Sequence, residues 1–189
     1  MKSEIKRKTK ETDIAAALDV SGGEVSVATG VGFFDHMLTA LAVHAGWGLT
    51  LSCQGDLQVD AHHTVEDCGI VLGRALKEAL GSKSGIARFG NAGIPMDEAL
   101  AKAHLDVSGR PFLVWHAAFS QETVGGFDIC LCEEFFRALA FNAEVTLHLE
   151  LCYGGNAHHE AEALFKAAAH AFRRALAPRE GLLSTKGVL

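Results

Sequence analysis

The sequence predicts an α/β (α+β) sandwich made by internal duplication: two copies of a small sheet-plus-two-helix unit related by a pseudo-twofold axis. Short motifs recur in the same order, Leu-Asp-Val-Ser-Gly at 18–22 and 105–109, Ala-Leu-Ala at 40–42 and 138–140, His-His-x-x-Glu at 62–66 and 158–162. A glutamate stands seven residues before each copy of the first motif, Glu11 in one and Glu98 in the other. The separations run from 87 to 98 positions, about half of the 189 residues, as loop-length changes inside one repeated unit would leave them. A unit with one sheet face and two helix stripes must bury them, and a related copy is a natural cover.

The units are taken as 1–90 and 91–189, together one compact domain. In the first, residues 14–20 (IAAALDV), 23–29 (GEVSVAT) and 48–60 (GLTLSCQGDLQVD) are strand-like runs broken by Gly or Ser. Residues 33–46 (FFDHMLTALAVHAG) and 64–81 (TVEDCGIVLGRALKEALG) have helical spacing and end in glycine. The second unit echoes this with helical 129–143 and 160–176 and the strand-like run 144–151. The basic run Lys-Arg-Lys-Thr-Lys at 6–10 reads as a solvated strand edge.

Composition bounds the function. Hydrophobic content of 49% with 21% charged residues is globular. A net charge of −6 argues against an extended nucleic-acid surface. No apolar run reaches the ~20 residues of a membrane span, and the N-terminal stretch lacks the apolar segment of a secretory signal. Five scattered cysteines do not suggest a disulfide framework; Cys130 and Cys132 read as packed small apolar groups. These features point to a reduced, cytoplasmic protein with neither membrane nor nucleic-acid partner.

The doubled triplets carry the chemistry: His62, His63 and Glu66, then His158, His159 and Glu162. On a helix each glutamate sits beside either imidazole, whereas adjacent histidines point about 100° apart. They are poorly placed to share one ion and well placed to serve two. His36 lies on the other helix of the first unit, and the Ala-Leu-Ala alignment puts Glu134 at the matching position of the second. That makes five histidines and three carboxylates, four protein ligands for each of two metals. Clustered imidazoles and carboxylates need a cation to neutralise and orient them; nitrogen and oxygen donors without thiolate fit Mn, Fe or Zn. His104, His116, His148 and His170 read as surface or hydrogen-bonded residues.

Some groups are not duplicated. Arg110 follows the second Leu-Asp-Val-Ser-Gly where the first has Gly23, Arg88 lies between the units, and Ser184, Thr185 and Lys186 lie near the C-terminal end. Arginines and a Ser-Thr-Lys turn beside glycines can cradle a phosphate.

Long stretches resemble imidazoleglycerol-phosphate dehydratase, a histidine-biosynthesis enzyme: ATGVGFFDHMLTALAVHAG, GDLQVDAHHTVEDCGIVLGRALKEALG, GIARFG, IPMDEAL, LDVSGRP, TLHLEL, NAHHEAEALFKA and STKG. The resemblance runs almost end to end. It implies small α/β halves, a 24-subunit homo-oligomer and two Mn2+ ions at each site between subunits. It implies metal ligation by His36, His62, His63, Glu66, His158, His159 and Glu162. It also implies substrate contacts from Glu11, Arg88, Arg110, Ser184 and Lys186, with His44 and Lys166 lining the pocket. Where the family usually has a histidine before the Phe-Phe pair, this chain has Glu134, which keeps a ligand and adds negative charge.

The reaction implied is loss of water from imidazole glycerol phosphate to give imidazole acetol phosphate. No carbonyl activates the C–H bond, so two ions on the imidazole would favour the ring form that expels the neighbouring hydroxyl. Glu11 is the first candidate for general acid/base and Glu162 the second. Two rivals keep the ligand sets: another dinuclear enzyme acting on a phosphorylated small molecule, and a non-enzymatic metal-binding assembly.

Overall fold

The computed structural model describes residues 1–187. The first half runs β1 (Lys2–Lys8), β2 (Thr12–Asp19), β3 (Val25–Ala28), α1 (Gly32–Ala45), β4 (Gly48–Gly55) and α2 (His62–Leu80). The second runs β5 (Phe89–Met96), β6 (Ala99–Asp106), β7 (Phe112–His116), the hairpin β8 (Thr123–Val124) and β9 (Phe127–Asp128), α3 (Leu131–Ala143), β10 (Thr146–Tyr153) and α4 (Ala157–Ala175).

The four-stranded sheets have orders β1-β2-β4-β3 and β5-β6-β10-β7. In each, the first three strands are antiparallel and the last is parallel to its neighbour. The same connectivity therefore occurs twice, as the recurring motifs require. The helices pair across the halves: α2 packs on β1, β2 and α3, and α4 packs on β5, β6 and α1.

Period-two patterning turns Ile14, Ala16 and Leu18 of β2 inward. Between the helices, Phe34 meets Phe135 edge-on at 5.4 Å and Phe135 stacks on Phe165 at 5.4 Å. All three rings are buried, and truncating one to alanine costs about 3–5 kcal/mol. Gly69 and Gly73 let α2 approach α3: a Cβ on Gly69 would meet the Phe135 carbonyl at 2.7 Å and the Ala138 Cβ at 2.8 Å. Gly46, at φ 75°, ends α1 and returns its N–H to Ala42 and Val43.

The basic run falls largely on the solvated strand edge expected of it: β1 has only Ser3 fully buried and alternates it with charged residues, as an edge strand does. Patterning missed strands in the second half. β5 contains two glycines and a proline, so its apolar signal is weak. The strand expected over 48–60 stops at Gly55. Cys132 is buried as expected; Cys130 is exposed, because it precedes α3 at the mouth of a cleft and does not face the core.

Candidate active site

α2 begins at its histidine doublet and α4 one residue before its own. The His62 N–H donates to Asp60 Oδ1 at 2.7 Å and the His158 N–H to Asn156 Oδ1 at 2.9 Å, so each helix start is fixed two residues upstream. The doublet rings diverge as helical geometry demands, with interplanar angles of 86° for His62/His63 and 78° for His158/His159.

In the second half, His158 Nε2 lies 3.3 Å from Glu162 Oε2, and His36 Nε2 lies 3.6 Å from the same oxygen. The donor atoms of His36, His158 and Glu162 all fall within 4.8 Å of one another. His36 thus joins the second triplet, not the first, because α1 packs on α4. Burial alone would raise the Glu162 carboxyl, but the Lys166 ammonium at 2.7 Å, with the nearby His36 and His158 rings, holds it below its ordinary value. It is an anion ready to receive a cation. Two imidazole nitrogens and a carboxylate are a donor set suited to a divalent metal.

In the first half the histidines part. His62 Nε2 is 3.9 Å from Glu66 Oε2. His63 turns its Nδ1 to Asp56, at 3.0 and 3.2 Å, and its Nε2 lies 3.8 Å from Glu11 Oε1. The Asp56 hydrogen bond pushes the His63 pKa up. Arg7 and Thr12 both bond the buried Asp67, pinning the β1–β2 hairpin to α2, and the Asp56 N–H donates to the Glu11 carbonyl at 3.0 Å. Those contacts hold Glu11 above His63. The second half repeats the theme: His159 Nδ1 meets Glu98 at 2.8 Å and its Nε2 lies 3.8 Å from Asp97, a second convergent donor group. Among the described residues, no group of three such donors includes His62, Glu66 or Glu134. Glu134 sits in the first turn of α3 with its carboxylate 3.8 Å from Arg137. Beside His62 opens a cleft of about 500 Å3 lined by Phe33, Asp60, His62, Phe127 and Leu131; Phe33 also lies edge-on to His158 at 5.2 Å.

His44 sits 3.3 Å from His170 across the α1–α4 contact, and burial followed by the Lys166 charge lowers its pKa. Arg88 grips Asp106 with two hydrogen bonds, of 2.7 and 3.1 Å, and donates a third, of 2.7 Å, to the Leu183 carbonyl. Arg110 approaches the same Asp106 at 3.5 Å. Lys186 donates its backbone N–H to the Ser184 hydroxyl at 3.2 Å. Of the expected phosphate-binding residues, Arg88 and Arg110 therefore gather around Asp106, and Arg88 also holds Leu183, the neighbour of Ser184. The Arg88 N–H bonds the Ala175 carbonyl at the far end of α4 from His158, about 25 Å away at 1.5 Å per residue.

Sequence reasoning passed over Asp56 and Asp106. Asp106 had a signal, since it is the Asp of the recurring Leu-Asp-Val-Ser-Gly; Asp56 had only its place ahead of the doublet.

A family model described as imidazoleglycerol-phosphate dehydratase matches residues 29–172. The chain is 58% identical to the enzyme of that name from Wolinella succinogenes over 98% of this chain and 99% of the relative. It is 54% identical to that of Cereibacter sphaeroides (strain KD131) over 100% and 99%. Among solved structures it is similar to the Staphylococcus aureus dehydratase, with TM-score 0.85 and 42% identity over 95% of this chain and all of the other. For the Pyrococcus furiosus structure, in complex with (S)-C348, the TM-score is 0.87 and the identity 39%, over 98% of this chain and all of the other.

Proposed function

The chain belongs to the imidazoleglycerol-phosphate dehydratase family, hydro-lyases of histidine biosynthesis, and from that premise we propose a dinuclear Mn2+ site assembled between subunits. The carrying observation is the convergence of His36, His158 and Glu162, with a second doublet, His62 and His63, facing its own carboxylates. His159, Glu66 and Glu134 are the remaining proposed ligands. A bound metal pair would supply positive charge that favours the deprotonated imidazole ring of the substrate.

The rest falls to side chains. Dehydration of imidazole glycerol phosphate breaks one C–H and one C–O bond; the proton goes to a base and the hydroxyl leaves with a proton as water. The enol left behind becomes the ketone of imidazole acetol phosphate. Glu11, more than half exposed and anchored over His63, takes and returns these protons. Glu162 is the second candidate, though the Lys166 ammonium favours its role as a fixed anion. Arg88, Arg110, Ser184 and Lys186 hold the phosphate and so orient the reacting carbons, while His44 and Lys166 line the pocket.

The separation along α4 supports a homo-oligomer. A small substrate cannot span about 25 Å from the metal donors to the Arg88 cluster of the same chain, so a neighbouring subunit provides one of the two; the resemblance makes the assembly a 24-mer. We read residues 1–90 and 91–189 as the repeat units of one compact domain. No helix among the described residues is long and apolar enough to cross a membrane. The free cysteines support a cytoplasmic setting and the net charge of −6 speaks against a nucleic-acid partner.

The test is to incubate chelator-treated and Mn2+-restored protein with imidazole glycerol phosphate, following ketone formation and inorganic phosphate together. Ketone formed only after Mn2+ is restored, without phosphate release, is the expected result. Phosphate release would make the protein a hydrolase, and full activity without metal would remove the metal site.

A further inference from the structure

We infer that Asp56 and Glu98 are positioning residues: each fixes the second histidine of its half's doublet through Nδ1, so that Nε2 is presented to a metal. The inference rests on the metal site proposed above and concerns what aims its ligands. An imidazole that ligates through one nitrogen commonly donates its other N–H to a carboxylate, which sets both tautomer and ring angle. Here the pattern occurs twice. Asp56 oxygens lie 3.0 and 3.2 Å from His63 Nδ1, and Glu98 Oε2 lies 2.8 Å from His159 Nδ1.

The two carboxylates do not come from matching places. Asp56 opens the six-residue link between β4 and α2, residues 56–61. The corresponding link between β10 and α4 is only residues 154–156, Gly-Gly-Asn, with no carboxylate to offer. Glu98 supplies it instead, from the β5–β6 turn at residues 97–98. The equivalent turn of the first half, residues 9–11, carries Glu11. Because Asp56 already occupies His63 Nδ1, Glu11 stands on the other side of the ring, 3.8 Å from Nε2. Duplicated turns have thus taken different work. Glu98 orients a ligand, and Glu11 is left for proton transfer.

The experiment is calorimetric titration of chelator-stripped protein with Mn2+, comparing native chain, Asp56→Asn, Glu98→Gln, Glu11→Gln and Glu150→Gln as a control on the outer sheet face. Asp56→Asn and Glu98→Gln are expected to lower affinity for one ion by about 10–100-fold, with partial recovery in Asp56→Glu and Glu98→Asp. Glu11→Gln and Glu150→Gln should bind as the native chain does. Native affinity in both Asp56→Asn and Glu98→Gln would overturn the inference while leaving the metal reading intact. A native chain that takes up no Mn2+ would remove the metal reading itself, and this inference with it.

Discussion

His36 on α1 and Glu162 on α4 meet at 3.6 Å, Nε2 to Oε2, although they come from helices of opposite halves. The His36, His158 and Glu162 donor set therefore needs both halves, and removing either residue should empty the ion position proposed there. Glu162→Gln and His36→Ala are expected to reduce the Mn2+ content from about two ions per chain to about one. Turnover should fall at least about 100-fold, on the scale of a lost Lewis-acid contact of several kcal/mol. Elemental analysis after gentle purification checks the first figure, and two retained ions would contradict it.

Glu11 touches Asp56 only through its backbone carbonyl and holds its carboxylate 3.8 Å from His63 Nε2. Glu11→Gln keeps the size and the hairpin contacts while removing the proposed proton acceptor. The expected outcome is a kcat lower by about 100–10,000-fold, the usual worth of a general acid/base, with KM little changed. A rise confined to KM would assign Glu11 to binding alone.

The contrast between His36 and Glu134 shows how far the sequence was legible. Recurring motifs disclosed the two halves, and periodicity alone told that His62 and His63 diverge. Which helices pair was not legible: α1 and α2 are neighbours in sequence but pack on α4 and α3, so His36 joins the triplet of the other half. Helix pairing depends on close approaches such as Gly69 against the Phe135 carbonyl, which carry no periodic signal. Asp56 was hidden for a similar reason, since its role follows from a bond to His63 across a loop.

The Arg88–Asp106 pair bears on both binding and stability. Arg88→Ala removes a proposed phosphate donor, leaves the largely buried Asp106 without its two Arg88 hydrogen bonds and releases the Leu183 carbonyl. A KM increase of 10-fold or more is expected together with a stability loss of about 1–3 kcal/mol. Arg110, whose side chain is 66% exposed, should raise KM on replacement by alanine with little change in the denaturation midpoint. Equal destabilisation by the two variants would refute this division.

Gly69 tests the α2–α3 contact that sets the first doublet against the core. A Cβ there meets a backbone carbonyl at 2.7 Å, which no flexible side chain can relieve. Gly69→Ala should therefore destabilise by about 1–3 kcal/mol through overpacking, despite alanine's better helix propensity. Gly81, where nothing lies within 4 Å of an added Cβ but φ is +49°, is the useful comparison, because strain there is conformational only. Urea denaturation of both variants separates crowding from backbone strain.

The His44–His170 contact predicts an acid-side loss of stability. Burial is the leading cause that lowers both pKa values from 6.5; Lys166 adds to it at His44, and Arg173 and Arg174 add to it at His170. The folded protein thus resists protonation that the unfolded chain accepts, so above about pH 6.5 neither state pays a penalty. As pH falls below 6.5 the unfolded chain binds more protons, and stability drops until the folded-state pKa values are reached. This window lies above the region where carboxylates with ordinary values near 4.5 titrate. The pair's contribution should lower thermal midpoints of chelator-treated protein between pH 6.5 and 5, against the opposite contribution of His63 and His159, whose pKa values are raised. His170→Gln should remove part of that acid-side loss. An unchanged slope in His170→Gln would show that another group governs it.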